Sequence, residues 1–290
     1  MDVVEVLYRL GGVGSHRALV AATSRWHVRA AVEAGRVQRV GGGAYALPGV
    51  DDAVRAARAL NGVVSVLSAA QHWRWPVWQP PAAPWVTVPR DRSPDPRRTR
   101  GARVIRQDVP CDGYATTPLQ TALDCARRLP LHEAVAVADS ALRSGLVRRH
   151  ELIEAADRLP RPGKARQVAQ LADARSDNPF ESVIRAIASE VEGVRLVPQV
   201  DIPGYGRADL ADVDRRLVIE CDSFGFHAAR ADLLRDIERY NRAALLRVHL
   251  VRFGYEHGHR PDYVRSVLED WLTLPPSRHT VPLPGSQIAA

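Results

Sequence analysis

Apolar residues recur at three- and four-residue spacing through Val3, Val4, Val6, Leu7 and Leu10, a helical period closed by the Gly11-Gly12 pair. Ser15 is placed to cap a second short helix ending near Val20. Thr23-Ser24 precedes a third helix over 26–33, and Gly35 follows it as a C-cap. The period then changes: 36–40, the glycine run 41–43 and 44–47 read as strand, tight turn and strand. Residues 86–88 and 104–105 predict a short strand pair. Amphipathic helices follow over 118–129, 131–144, 149–158 and 164–175, joined by Pro130, Gly145 and the Pro-Arg-Pro-Gly run 160–163. Asn178-Pro179 opens another helix, with Phe180, Val183, Ile184, Ile187 and Val191 on one face and Glu181 in its first turn. Beyond it the pattern predicts a strand (196–200), a turn (204–206), two strands over 207–210 and 216–222, a long helix (229–246), a strand (248–253) and a closing helix (261–272).

Those two strands carry acids among apolar residues. Alternation puts Leu217, Ile219 and Cys221 on one face and Val218, Glu220 and Asp222 on the other. Pairing through the 212–215 turn would bring Asp209 onto the carboxylate face. Three carboxylates sharing a sheet face repel one another and lose solvation, so they need a cation, a proton or an arginine. A hard divalent ion with oxygen ligands, Mg²⁺ or Mn²⁺, suits them. The rival reading is a sheet edge whose outward acids block aggregation. Against it, Glu220 lies within the apolar run 217–221.

At 290 residues, with 46% hydrophobic and 25% charged, the chain should hold two or three soluble domains. No apolar run reaches the roughly 20 residues of a membrane span and no signal peptide is evident, which predicts a cytoplasmic protein without membrane contact. Cys111, Cys125 and Cys221 form neither a disulfide framework nor a metal-ligand spacing. The net charge of +7 favours an anionic partner, DNA first. Lys164 is the only lysine, so none serves the acidic strands.

Helix, helix, helix, hairpin is the order of a winged helix. There the third helix would offer Ser24, Arg25, His27 and Arg29 to a DNA groove, with Arg36 and Arg39 on the wing. Arg97, Arg98 and Arg100, in the loop between 90 and 103, are either phosphate contacts or a solvated hairpin tip. Trp73, Trp75, Trp78 and Trp85, set among prolines, read as packing. Arg235 and Arg239 share a helix face at i, i+4 and are either a phosphate clamp or a solvated face. The stretch GGVGSHRALVAATSRWHVRAAVEAGRVQRVGGGAYAL resembles the N-terminal domain of type IV antitoxins of the abortive-infection AbiEi family, and the similarity continues more loosely through LSAAQHWRWPVWQPPAAPWVTVPR. It implies DNA binding for 1–50, a scaffold role for the middle, and a toxin or other protein partner.

The order helix, three strands, helix, strand, with acids at Glu181, Asp209 and Glu220, resembles the PD-(D/E)xK nuclease core, except that Asp222 stands where its lysine would be. Pro179-Phe-Glu181-Ser, Arg207-Ala-Asp209-Leu, Val218-Ile-Glu220-Cys-Asp222, His227, Arg230, Asp236, Arg239 and Arg252-Phe253 are similar to the very-short-patch-repair (Vsr) endonucleases and Vsr-like domains. That resemblance implies a metal on Asp209 and the backbone carbonyl of Cys221, with His227 as the catalytic histidine and Glu181 bonding to the site's water or histidine. Glu220 and Asp222 are further candidate ligands. Asp222 replaces a Vsr histidine, so either Asp222 or His227 is the general base. The expected fold is α+β and multidomain: a winged helix (1–50), a mainly helical middle (51–175), a restriction-endonuclease-like α/β domain (176–274) and a loose tail (275–290). The expected function is Mg²⁺- or Mn²⁺-dependent DNA cleavage. The alternative is an antitoxin-like DNA-binding regulator with an inactive nuclease domain.

Overall fold

Hydroxyl caps set the helix starts of the N-terminal segment: Ser15 Oγ accepts from Ala18 N at 3.1 Å and Ser24 Oγ from His27 N at 3.2 Å. In the computed structural model the described residues are 2–41, 43–222 and 230–274. The chain divides into two units. One runs from the N-terminus to Trp75 and resumes over Gln79–Cys125; the other comprises Pro76–Trp78 and the chain from Ala126 onward.

The first unit begins with α1 (Val3–Arg9), β1 (Val13–Ser15), α2 (His16–Ala22), α3 (Arg25–Glu33), β2 (Gln38–Gly41) and β3 (Ala44–Ala46). The strands form a sheet in the order β1-β3-β2. Gly41 and Gly43, at φ +91° and +74°, supply the left-handed backbone of the β2–β3 turn. Val3, Leu7, Leu19, Val28, Ala31, Tyr45 and Leu47 close one core. Next come α4 (Asp52–Ala59), β4 (Val63–Val64), α5 (Val66–His72), β5 (Trp85–Val88), α6 (Pro96–Thr99), β6 (Arg103–Arg106), β7 (Cys111–Asp112), β8 (Ala115–Thr116) and α7 (Pro118–Arg128), within which the division between units falls. The second sheet runs β6-β5-β4-β8-β7.

Three expectations for this unit change. The strand pair is part of a five-stranded sheet, because β4, β7 and β8 are two residues each and too short to show alternation. β5 and β6 are parallel, so the arginine loop is a crossover carrying α6 and not a hairpin tip. Packing does not divide the chain at residue 50. Val13, Ala44 and Ala46 share a core with Val54, Val64, Val86 and Ala115, and the Tyr114 hydroxyl donates to the Leu10 and Val13 carbonyls.

The second unit holds α8 (Leu131–Arg143), α9 (Arg149–Asp157), α10 (Gly163–Leu171), α11 (Pro179–Ala188), β9 (Val197–Ile202), β10 (Gly206–Asp212), β11 (Leu217–Asp222), α12 (Arg230–Leu246), β12 (His249–Gly254), a 3₁₀ turn (Tyr255–His259) and α13 (Pro261–Thr273). Its sheet is ordered β12-β11-β10-β9: β9, β10 and β11 are antiparallel neighbours, and α12 carries the chain across to β12, parallel to β11. One core combines Ile184 and Ile187 of α11 with Leu210, Leu217, Ile219, Phe253, Val264 and Leu268. The other sets Val200, Ala208, Ala211 and Val218 beside Ala243 of α12. Packing does not divide the chain at 175 either, because α8 packs against α11. Residues 275–290, expected as a tail, lie outside the described residues.

The result is an α+β protein with three sheets among the described residues. No helix among them is long and apolar enough to cross a membrane. The tryptophans pack as expected: Trp75 and Trp78 are buried, and Trp73 Nε1 donates to Thr116 O at 3.0 Å.

Candidate active site

The β10–β11 register pairs Leu210 with Ile219 and Ala211 with Val218, which carries Asp209 to the position opposite Glu220. Ala208 and Ala211, three residues apart, both belong to the α12-side core while Leu210 belongs to the other. The two-residue alternation therefore slips once, at Asp209. Opposite the slip, Gln199 has φ +56°, a left-handed conformation that a non-glycine residue adopts at a cost.

Asp209 Oδ2 accepts from Cys221 N at 2.8 Å, and its carboxyl lies within electrostatic reach of that of Glu220. Glu220, buried at 6% exposure, accepts on Oε1 from the Tyr205 hydroxyl at 2.7 Å and from Arg239 Nη2 at 2.6 Å. Burial, reinforced by the Asp209 charge and opposed by Arg239, pushes Glu220 up to about 7. Burial raises Asp209 as well, and raises the Tyr205 hydroxyl.

Glu181, on the first turn of α11, is also buried. It accepts from Asp177 N at 2.9 Å, Asn178 Nδ2 at 2.6 Å and Gln199 Nε2 at 2.8 Å. Burial first, and then the charge of Asp209, pushes it up to about 7. Asn178 caps the same helix, its Oδ1 accepting from Phe180 N and Glu181 N. One local signature thus builds the helix start and orients its acid.

Asp222 has a different partner. Arg252, its diagonal neighbour on β12, grips both of its oxygens, Nε to Oδ2 at 2.6 Å and Nη2 to Oδ1 at 2.7 Å, and donates through Nη1 to the Tyr240 hydroxyl. Two of the carboxylates are therefore arginine-bound, Asp222 by Arg252 and Glu220 by Arg239, while Asp209 lies beside Glu220 and within electrostatic reach of Glu181. Among the described residues no group of three or more His, Cys, Asp or Glu side chains is set to hold a metal. The oxygen set of Asp209 and Glu220 nevertheless fits a hard divalent cation. Glu220 is buried and Asp209 half-buried, both are adjacent and raised, and a positive ion is what would let both ionise. His227 lies outside the described residues. At Cys221 the contact made to the site is its N–H on Asp209.

In the first unit, Arg25, Arg29 and Arg39 line one cleft of about 460 Å³ with His16 and Tyr45. Arg29 is paired with Glu33 at 2.8 Å, while Arg39 lies over the Tyr45 ring at 5.7 Å and donates to its hydroxyl. Arg36 is turned to Asp2 at 3.0 Å, and His27 Nδ1 meets Ser24 Oγ at 2.8 Å. Arg97 and Arg100 belong to the α6 crossover, where Arg97 N is held by Asp95. The side chains of Arg98 and Arg235 lie outside those described.

Reading the sequence alone missed Tyr205, Gln199, Tyr240 and the role of Arg252. Tyr205, between Gly204 and Gly206, passed for a turn residue. Only folding aims its hydroxyl at Glu220.

No family model matches the chain. The uncharacterised proteins MT2308 and Rv2248 of Mycobacterium tuberculosis are each 36% identical to it over 135 residues, 43% of this chain and 49% of theirs. The chain spans about half the length of these curated relatives. Among solved structures, the RV2827C protein from Mycobacterium tuberculosis aligns at TM-score 0.34 and 15% identity, over 63% of this chain and 78% of that one.

Proposed function

We propose that this is a DNA-binding protein whose second unit hydrolyses DNA phosphodiester bonds with Mg²⁺ or Mn²⁺. The observation that carries the reading is the Asp209–Glu220 pair: two neighbouring carboxyls, one half-buried and one buried, at the slip in β10, a third at Glu181, and Arg239 alongside. In this reading α11 to α13 form a PD-(D/E)xK core of the Vsr-like kind, and α1 to β3 form a winged helix like that of the AbiEi antitoxins. Asp209 and Glu220 would hold the ion. When bound, it supplies Lewis-acid polarisation of the scissile phosphate. Arg239, about one-third exposed, would meet a phosphate oxygen. With Asp222 committed to Arg252, proton acceptance from the attacking water falls to His227. Glu181 positions the site through Gln199. Arg25, Arg29 and Arg39 deliver the protein to the duplex.

A second reading has its own support. Glu220 and Asp222 each already hold an arginine, and the position of the superfamily's lysine is Asp222. This favours an antitoxin-like regulator whose nuclease domain no longer cuts and serves as a second DNA clamp, with a toxin or other protein partner.

Purified protein incubated with supercoiled plasmid, mismatched duplex and single-stranded DNA in Mg²⁺ or Mn²⁺ separates the two readings. Nicking lost in both Asp209→Ala and His227→Ala establishes the nuclease. DNA binding without cleavage, unchanged in the two variants, establishes the regulator.

A further inference from the structure

The most exposed tryptophan with a described side chain is on α3. Trp26 is 72% exposed, against 2% for Trp75 and 5% for Trp78, and its indole meets the His27 ring edge-on, centroids 5.3 Å apart. His27 is itself held by Ser24, the α3 cap. The helix buries Val28 and Ala31, so the outward face carries Arg25, Trp26 and Arg29, and both arginines line the basic cleft with Arg39. A large ring left in water this way does nothing for the core. Its surroundings state the chemistry of what covers it: in the neighbouring cleft three guanidiniums outnumber the one acid, Glu33, and favour a polyanion, and the uncharged indole next to Arg25 adds an apolar contact that phosphate cannot satisfy. In a duplex the apolar group within reach of a helix is the thymine 5-methyl, displayed in the major groove.

Resting on the DNA-binding part of the proposed function, we infer that Trp26 is a specificity-determining residue that packs against thymine methyl groups in the major groove while Arg25, Arg29 and Arg39 hold the flanking phosphates. The arginines set the affinity and its salt dependence. Trp26 sets which bases are preferred.

The test uses the full chain and a 30-base-pair duplex rich in A·T, alongside the same duplex with every dT replaced by dU, which removes the methyls and leaves the hydrogen-bonding edges intact. Wild type should bind the thymine duplex about fourfold more tightly for each methyl contacted, the worth of one buried methyl. Trp26→Ala should bind both duplexes equally, with an unchanged slope of log K against log salt. Trp26→Phe, which keeps an apolar ring, should retain part of the discrimination. Tryptophan emission should change on binding in wild type by more than in Trp26→Phe. Equal binding of the two duplexes by wild type overturns the inference while the DNA-binding reading stands, and this holds even if Trp26 emission changes, because the indole then faces the backbone. Loss of oligomerisation in Trp26→Ala, with the thymine preference intact, overturns it in favour of a second copy of the chain. If neither duplex binds at low salt, the inference and the DNA-binding reading fail together.

Discussion

Arg185 of α11 donates through Nη2 to Asp139 of α8 at 2.7 Å, and the two side chains are 7% and 0% exposed. Asp139 also accepts from Asp173 N at 2.7 Å, and Arg185 Nη1 reaches Leu171 O at 2.6 Å. The pair fastens α8 and the end of α10 to the helix that carries Glu181. Asp139→Ala or Arg185→Ala strands a buried charge and should cost roughly 3–5 kcal/mol in urea denaturation. Replacing both with Leu and Met should cost less than the two single losses summed. A loss within 0.5 kcal/mol of wild type, the rough range for a surface site, would show that the pair is not sealed from water.

The raised carboxyls give a pH signature. Glu181 and Glu220 titrate near 7 in the folded chain, against 4.5 ordinarily. Their contribution to stability is therefore complete below the unfolded value and is lost as pH rises through the folded one. Between about pH 4.5 and 7 the folded chain holds protons that the unfolded chain has released, so stability declines over that window. Each group should account for something on the order of 1–3 kcal/mol. Melting temperatures of wild type, Glu181→Gln and Glu220→Gln between pH 5 and 8 check this: the glutamine variants should lose less stability across the window. Equal pH slopes in all three would refute it.

Gly258 is fixed by packing. A Cβ built there would lie 2.7 Å from Trp78 Cζ2 and 3.3 Å from Phe180 Cδ2, in the ring cluster where Trp78 stacks on Phe180 with centroids 5.7 Å apart. Gly258→Ala should destabilise the second unit by about 1–3 kcal/mol. Calorimetry reads it directly, and the first unit's transition, if resolved, should not move.

The basic cleft predicts which arginines matter for DNA. Removing Arg25 or Arg39 should lower the slope of log K against log salt by about 0.9 for each phosphate that is no longer neutralised. Arg36→Ala should leave the slope alone, since Arg36 does not line the cleft and is turned to Asp2. Fluorescence anisotropy at several salt concentrations decides. A slope change at Arg36 equal to that at Arg39 would mean that the cleft does not define where the backbone is held.

Local signals determined the elements. Ser15, Ser24 and Asn178 mark helix starts by chemistry that acts within three residues, and 3.6- and 2-residue periods separate helix from strand wherever an element is long enough to repeat. The same alternation put Glu220 and Val218 on the face opposite Leu217 and Ile219, and the turn at 212–215 brought Asp209 opposite Glu220. What the chain could not display one residue at a time was decided by tertiary contact. β4, β7 and β8 exist only because neighbouring strands supply their hydrogen bonds, and the unit boundaries follow the Val13–Val86 core and the Asp139–Arg185 pair. The site's electrostatics depend on partners distant in sequence. Arg252 is 30 residues from Asp222, and Arg239 is 19 and Tyr205 15 from Glu220. Whether an acid ends up salt-bridged or protonated depends on distances of a few ångströms and on the water excluded around it, and only the folded chain fixes those.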